Sequence, residues 1–142
     1  MKPVEFLNLA NRLHASADEA ERRTSIGRSY YASYHVLVES LVAAGVHFEQ
    51  NRDDHGRLLY YLSRSGDHRT RKIGLEVNAL RAMRNDAAYE LRISISRDDS
   101  RLAYEKANRT ISGFKATPNG EFQKVVNILK ALPSYKPPYR NS

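Results

Sequence analysis

Two arginines and an asparagine interrupt the apolar face of a predicted helix in the second half of the chain. This helix covers about residues 70–91, and its apolar residues recur at helical spacing as Ile73, Val77, Leu80, Ala87 and Leu91. Arg84 occupies the missing step of that series, with Arg81 one turn earlier and Asn85 beside it. A guanidinium on the core face of a helix costs free energy unless it is paired or faces a cleft.

Two interpretations of this arginine cluster differ in what neutralises Arg84. In the first, Arg84 is buried and pairs with an internal carboxylate such as Glu39 or Glu76, which is the commoner arrangement in helical proteins. In the second, the cluster binds phosphate, because the planar fork of a guanidinium matches two phosphate oxygens. The sequence leaves both interpretations open.

Further residues could bind a nucleic acid next to this cluster. Arg69 and Arg71 belong to a basic stretch, residues 64–72, that is either a solvated helix entry or a track for a nucleic-acid backbone. The nine tyrosines could stack on bases. We expect core or cleft positions for Tyr30, Tyr34 and Tyr89. The candidates for exposed tyrosines are Tyr60, Tyr61, Tyr135 and Tyr139.

The histidines do not have the spacing of a metal site. No HExxH motif includes His14, His47, His55 or His68, and we interpret the Asp53-Asp54 pair that precedes His55 as a turn and helix cap. Since cysteine is also absent, we predict no metal and no cofactor. His35 adjoins a row of tyrosines, where a packed structural role is the commoner one, but it would face Arg84 if the two helices packed together.

The composition is that of a basic chain with the size of one domain. The 142 residues include 23 Lys and Arg against 16 Asp and Glu, a formal net charge of +7 that favours a polyanionic partner. The lack of cysteine excludes disulfide scaffolds and thiol catalysis. Glu5 and Asn8 stand where a signal peptide would be apolar, and no stretch approaches the ~18 apolar residues of a membrane span. We expect a cytoplasmic protein without a membrane segment.

Helical periodicity, with little proline before the C terminus, predicts an all-α protein. The first predicted helix begins at Pro3, and the others cover about residues 18–44, 54–65, 70–91, 97–114 and 119–132. Gly45 should end the second helix, Ser96 should cap the fifth in a capping box, and Asn119 should cap the last. We therefore predict a single-domain, up-down bundle of about five helices in residues 1–114. Residues 115–142 form an extension with a short helix and a proline-rich tail.

The second predicted helix has two adjoining apolar rows, which places it at the centre of the bundle. One row consists of Ile26, Tyr30, Tyr34, Leu37, Leu41 and Ala44. The adjoining row consists of Tyr31, His35, Val38 and Val42.

Two segments resemble the signature motifs of HEPN-domain proteins. Residues 28–35, RSYYASYH, resemble the family's R-x-YYA-x-[FY]-H signature, and residues 81–89, RAMRNDAAY, resemble the Arg-Asn-rich segment of its later helix. The resemblance covers about residues 4–114. It implies a bundle of four to five helices that forms a homodimer, with the arginine-bearing helices meeting at a shared cleft.

The resemblance also implies a function. Many HEPN proteins are metal-independent ribonucleases of toxin–antitoxin or phage-defence systems. RNA or a nucleotide is therefore the expected ligand, and a cognate antitoxin or a nucleotidyltransferase the expected partner. By position, Arg84 and Asn85 match the family's catalytic Arg and Asn. The candidate substrate-binding residues are Arg81, His35, Tyr31, Arg69 and Arg71.

Tyr89 stands where the family has its catalytic histidine, and no histidine follows His68. A histidine titrates near pH ~6.5 and a tyrosine near pH ~10, so a tyrosine suits phosphate binding better than proton transfer at neutral pH. Tyr89 is thus our third candidate catalytic residue. The alternative is a non-catalytic HEPN interaction module that binds a partner protein or ligand.

Overall fold

Six α-helices build the structure, a computed structural model that describes residues 1–138. The helices are α1 (Pro3–Leu13), α2 (Glu19–Ala43), α3 (Asp54–Ser63), α4 (His68–Tyr89), α5 (Arg97–Lys115) and α6 (Asn119–Ala131). Residues 1–138 contain no β-strand, which confirms the all-α prediction. Tyr139, one of the tyrosines expected to be exposed, lies outside the described residues.

Local capping interactions explain where the helices begin and end. Asp18 Oδ1 accepts a hydrogen bond from the backbone N–H of Ala20 at 2.9 Å, which starts α2. Ser96 and Asp99 form the predicted capping box at the start of α5. Gly45 follows α2 with a φ of 94°, the left-handed conformation that glycine adopts without strain. Short-range sequence signals therefore set these boundaries.

Two predicted boundaries differ from the structure. The residue at the N-cap of α6 is Pro118, and Asn119 is already the first residue of the helix, so the predicted Asn119 cap is wrong. Helix α4 ends at Tyr89, so Leu91 falls outside the helix and is exposed. The apolar face of α4 therefore stops at Ala87, one step earlier than the periodicity predicts.

Helix α2 lies at the centre of the bundle and packs against α1, α4 and α5. The residues of its first apolar row that are buried are Ile26, Tyr30, Tyr34, Leu37 and Leu41. In the second row, Tyr31, His35 and Val38 are half-buried, and Val42 is exposed. The second row therefore borders the surface, where its polar atoms remain accessible to a ligand.

Helix α2 also fixes the C-terminal end of α4, the helix that carries the arginine cluster. Arg23 Nη1 donates hydrogen bonds to the carbonyl oxygens of Ala87 at 3.0 Å and Glu90 at 3.3 Å. The carbonyls in the last turn of a helix lack partners within the helix, so this guanidinium caps α4. The segment after α4 is tied down as well, because Glu19 Oε1 accepts from the backbone N–H of Ile95 at 2.7 Å.

The C-terminal extension packs against the bundle. Val125, Val126 and Leu129 of α6 are buried in the same hydrophobic core as the other helices. The tail after α6 crosses α3, where the Tyr60 hydroxyl donates to the carbonyl oxygen of Pro133 at 2.6 Å. The tail thereby forms one wall of the site described next.

Candidate phosphate-binding cleft

Helices α2, α3 and α4, together with the tail, enclose a cleft of about 710 Å³. The predicted site residues that line it are Tyr31, Arg81, Arg84, Asn85 and Tyr89. The structure thus brings together residues from two helices that are about 50 positions apart in the chain, the two helices that carry the motif segments.

Arg84 is half-buried and held by two polar neighbours. Its Nη2 donates to the Tyr31 hydroxyl at 2.7 Å, and its Nη1 donates to Asn85 Oδ1 at 3.1 Å. The guanidinium carbon lies 5.3 Å from the centre of the Tyr31 ring and 5.9 Å from that of Tyr89. Neither of the two hydrogen bonds is to a carboxylate, so they orient the positive charge of Arg84 without neutralising it.

An internal ion pair does not explain the arginine cluster. Within residues 1–138, no carboxylate lies within ion-pair distance of Arg84 or Arg81. Glu76 instead accepts from Lys106 Nζ at 2.6 Å, and Glu39 borders a neighbouring pocket. The interpretation of Arg84 as the partner of Glu39 or Glu76 is therefore wrong.

Arg81 is the second cation of the cleft. It is half-buried, and the described residues offer its guanidinium neither a hydrogen bond nor an ion pair. Arg52 and Asp53 also line the cleft, so the described residues around it include three guanidinium groups and one carboxylate, and Arg52 and Asp53 have interactions of their own. The electrostatic balance of the cleft favours an anionic ligand.

His55, which the sequence analysis set aside, lies in this cleft. It belongs to the first turn of α3, and its Nδ1 is hydrogen-bonded to the Tyr30 hydroxyl at 2.5 Å. Its ring stacks on that of Tyr34 with centroids 4.2 Å apart. Over residues 1–138, no hydrogen bond engages Nε2. In one neutral tautomer of His55 the proton is on Nδ1, which donates to the Tyr30 hydroxyl oxygen. In that tautomer Nε2 has a free lone pair and can accept a proton.

The surroundings of His55 keep its imidazole neutral. Burial, followed by the positive charges of Arg81 and Arg84, lowers the pKa of His55 to about 4. Burial also raises the pKa of its partner Tyr30 well above the usual range, so that hydroxyl stays protonated. The cleft therefore combines positive charge with a neutral imidazole.

A local signal for His55 was present in the sequence. His55 lies three residues before Leu58 and seven before Leu62, both fully buried in the structure, so it shares their face of α3. A metal-spacing criterion cannot detect such a residue, because it considers histidines only in relation to one another.

The structure does not place His35 in the arginine cleft. His35 stacks against Phe6, with centroids 5.4 Å apart, and lines an adjacent pocket with Tyr31 and Val38. Burial lowers the pKa of His35. Tyr31 thus separates His35 from the cleft, and His55 is the histidine that accompanies the arginines.

Arg69 and Arg71 point away from each other. Arg71 lines a groove between α3, α4 and the tail, together with Tyr60 and Tyr135. Arg69 lines a different cavity between α4 and α5. Only Arg71 is therefore on the side of α4 that leads to the arginine cleft.

Tyr89 is the last residue of α4, and its side chain is 70% exposed. It borders the mouth of the cleft, beside Asn85, which is also exposed. Tyr89 therefore lies at the rim of the cleft, whereas Arg84 and His55 are half-buried within it.

No group of three or more histidine, aspartate or glutamate side chains in residues 1–138 could hold a metal ion. None of the helices in these residues has both the length and the apolar character needed to cross a membrane.

Comparisons of the chain with protein-family models, with curated proteins and with solved structures found no match. The HEPN resemblance therefore depends on the two motif segments, and any function depends on the chemistry of the cleft.

Proposed function

We propose that this chain is a HEPN-like protein that binds RNA or a nucleotide phosphate in the cleft between α2, α3 and α4. One observation carries the proposal: Arg81 and Arg84 are half-buried in one cleft and, within residues 1–138, have no carboxylate within ion-pair distance. Partial burial of an uncompensated guanidinium is unfavourable, and a phosphate would supply the missing negative charge. The net charge of +7 supports a polyanionic ligand in the same way.

The cleft also has the groups for cleaving RNA without a metal ion. In this reaction the 2′-oxygen attacks the adjacent phosphorus, the bond to the 5′-oxygen breaks, and a 2′,3′-cyclic phosphate forms. His55 Nε2 takes the proton of the 2′-hydroxyl, and the leaving 5′-oxygen receives a proton from water or from Tyr89. Arg81 and Arg84 neutralise the charge that develops on the phosphate oxygens.

The biological setting that we propose comes from the motif resemblance. It is a toxin–antitoxin or defence system of a prokaryotic cytoplasm, with a cognate antitoxin or nucleotidyltransferase as partner. The chain would form a homodimer in which the α4 helices meet, so that two clefts adjoin.

Binding can be tested with a fluorescently labelled RNA in EDTA, followed by anisotropy. Arg84→Ala should weaken binding at least about tenfold, because it removes an oriented, half-buried charged donor. Arg69→Ala is the matched control on the same helix, and it should change the Kd less than about twofold, since it removes only a solvated charge. Equal effects of the two substitutions would refute the assignment of the ligand to this cleft.

Cleavage is tested separately on a mixed RNA pool. Wild type should produce 2′,3′-cyclic phosphate ends in EDTA, and His55→Gln should abolish the product while leaving the Kd within about threefold. Activity that disappears with EDTA would contradict the metal-free reaction. Binding without any cleavage would restrict the function to phosphate recognition.

A second candidate function is supported by apolar side chains beside the cleft. Tyr89, Leu91 and Ile93 are exposed at the C-terminal end of α4, and clustered exposed apolar side chains mark interaction surfaces. In this alternative the chain is a non-catalytic interaction module. Failure of wild type to bind any RNA, together with self-association that Leu91→Asp abolishes in equilibrium sedimentation, would favour it.

A further inference from the structure

A second groove adjoins the arginine cleft on the surface of α3 and α4. This groove has a volume of about 700 Å³ and is lined by α3, α4 and the tail. Gly56 and Tyr135 border both the groove and the cleft, and the Tyr135 hydroxyl packs over Gly56, so the Tyr135 side chain stands between the two. A ligand longer than one nucleotide would pass over this side chain to reach from one into the other.

The groove is basic. Its charged lining residues are Arg64, Arg71 and Lys136, and no acidic residue is among those that line it. Within residues 1–138, none of these three cations lies within ion-pair distance of a carboxylate. They are thus available to phosphates that leave the arginine cleft.

Tyr135 lies where the groove meets the cleft, and Tyr60 lines the groove beside it. The rings of Tyr60 and Tyr135 have centroids 5.4 Å apart, and the Arg64 guanidinium carbon lies 4.4 Å from the centre of the Tyr60 ring. Aromatic rings and guanidinium planes are the surfaces on which unpaired bases stack. Cations alternating with such surfaces are typical of single-strand binding sites.

Helix α4 sets the length of this depression. Arg71, Asn78, Arg81 and Asn85 follow one another at intervals of seven, three and four residues, so they lie along one face of the helix. At a rise of about 1.5 Å per residue, the stripe from Arg71 to Asn85 is about 21 Å long. At the ~3.4 Å phosphate spacing of a stacked strand, this length corresponds to about six nucleotides at most.

We propose that the ligand is a single-stranded polynucleotide that runs along α4, from the arginine cleft to the groove lined by Arg64 and Arg71. Its bases stack at the Tyr60–Tyr135 junction. This inference builds on the proposed phosphate-binding function and adds the class and length of the ligand. A mononucleotide would occupy the cleft alone and leave the groove without a role.

The test is a length series of non-cleavable, 2′-O-methylated oligouridines of two, four, eight and twelve nucleotides, measured by fluorescence anisotropy. Affinity should rise from two to four nucleotides, increase further up to about six, and be the same for eight and twelve. Arg71→Ala should weaken binding of the eight-nucleotide strand about three- to tenfold and leave the dinucleotide unaffected. It should also reduce the slope of log K against log salt by about 0.7, the value for one lost phosphate contact on a single strand.

Arg69→Ala is the matched control, because it removes an exposed arginine from the same helix without touching the groove. The inference is overturned if affinity stays the same beyond the dinucleotide, or if Arg71→Ala and Arg69→Ala behave alike. In that case Arg84→Ala still weakens dinucleotide binding, and the proposed function stands. If no strand binds, both proposals fail. An eight-base-pair duplex that binds as tightly as the single strand would also overturn the inference, because paired bases cannot stack on the tyrosine rings.

Discussion

Replacing His55 with glutamine removes an imidazole whose pKa is lowered to about 4 by burial and by the charges of Arg81 and Arg84. In the unfolded chain a histidine titrates near pH ~6.5. Between these two values the unfolded state binds more protons than the folded state. The free energy of unfolding therefore rises with pH across this window. The contribution of His55 to stability is lost as the pH falls from about 6.5 towards 4.

The size of the effect follows from the same two values. One pKa unit corresponds to about 1.4 kcal/mol, so the full shift sets a ceiling of about 3.5 kcal/mol. Because His55 is only half-buried and solvent screens its charge, we expect about 1–2 kcal/mol. Glutamine does not take up a proton in this pH range. Between pH 7 and pH 4.5, the free energy of unfolding of His55→Gln should therefore fall by that much less than that of wild type.

The assay is urea unfolding of wild type and His55→Gln at pH 4.5, 5.5, 6.5 and 7.5. Glu19 and Asp67, whose pKa values are lowered by hydrogen bonds, also lose stability in acid, but they do so equally in both proteins. His47→Gln, which removes a largely exposed imidazole, is the control. Parallel curves of the free energy of unfolding against pH for wild type and His55→Gln would refute the burial of a neutral imidazole. Two other groups act on the pKa of His55: the charge of His35 lowers it and the charge of Asp54 raises it.

Two further predictions concern α4. Arg23→Ala should lower the free energy of unfolding by about 2 kcal/mol, because the carbonyl oxygens at Ala87 and Glu90 lose a charged donor. Urea unfolding measures this, and a loss no larger than that of Arg92→Ala, at an exposed position, would contradict the cap. Tyr89→His should raise the rate of RNA cleavage in EDTA at least about tenfold, since an imidazole transfers protons at neutral pH more readily than a phenol. An unchanged rate would show that position 89 takes no part in proton transfer.

Patterns within a few residues were sufficient to predict most of the fold. The capping box at Ser96 acts on the next turn of its own helix, so the sequence shows it directly. The half-burial of Arg84 follows in the same way, because the helical period fixes which face a residue occupies. These features need no knowledge of how the helices pack.

The rest of the site depends on contacts between distant segments. Tyr30 and His55 are 25 residues apart, and their hydrogen bond depends on how α3 packs against α2. The tail reaches the cleft because Tyr135 packs over Gly56, where even an added Cβ would meet the Tyr135 hydroxyl. Periodicity places a residue on a face of its own helix, but it does not reveal which neighbour covers that face.

The contacts of Arg84 determine when its conformational entropy is lost. Tyr31 and Asn85 hold its guanidinium before any ligand arrives, so its rotamer freedom is lost on folding and not on binding. Arg81 has no such hydrogen bond within residues 1–138, and ordering it on binding costs roughly 0.5–1.5 kcal/mol. In the proposed phosphate site, Arg84 would therefore be a preorganised anchor, whereas Arg81 would adapt to the geometry of the ligand.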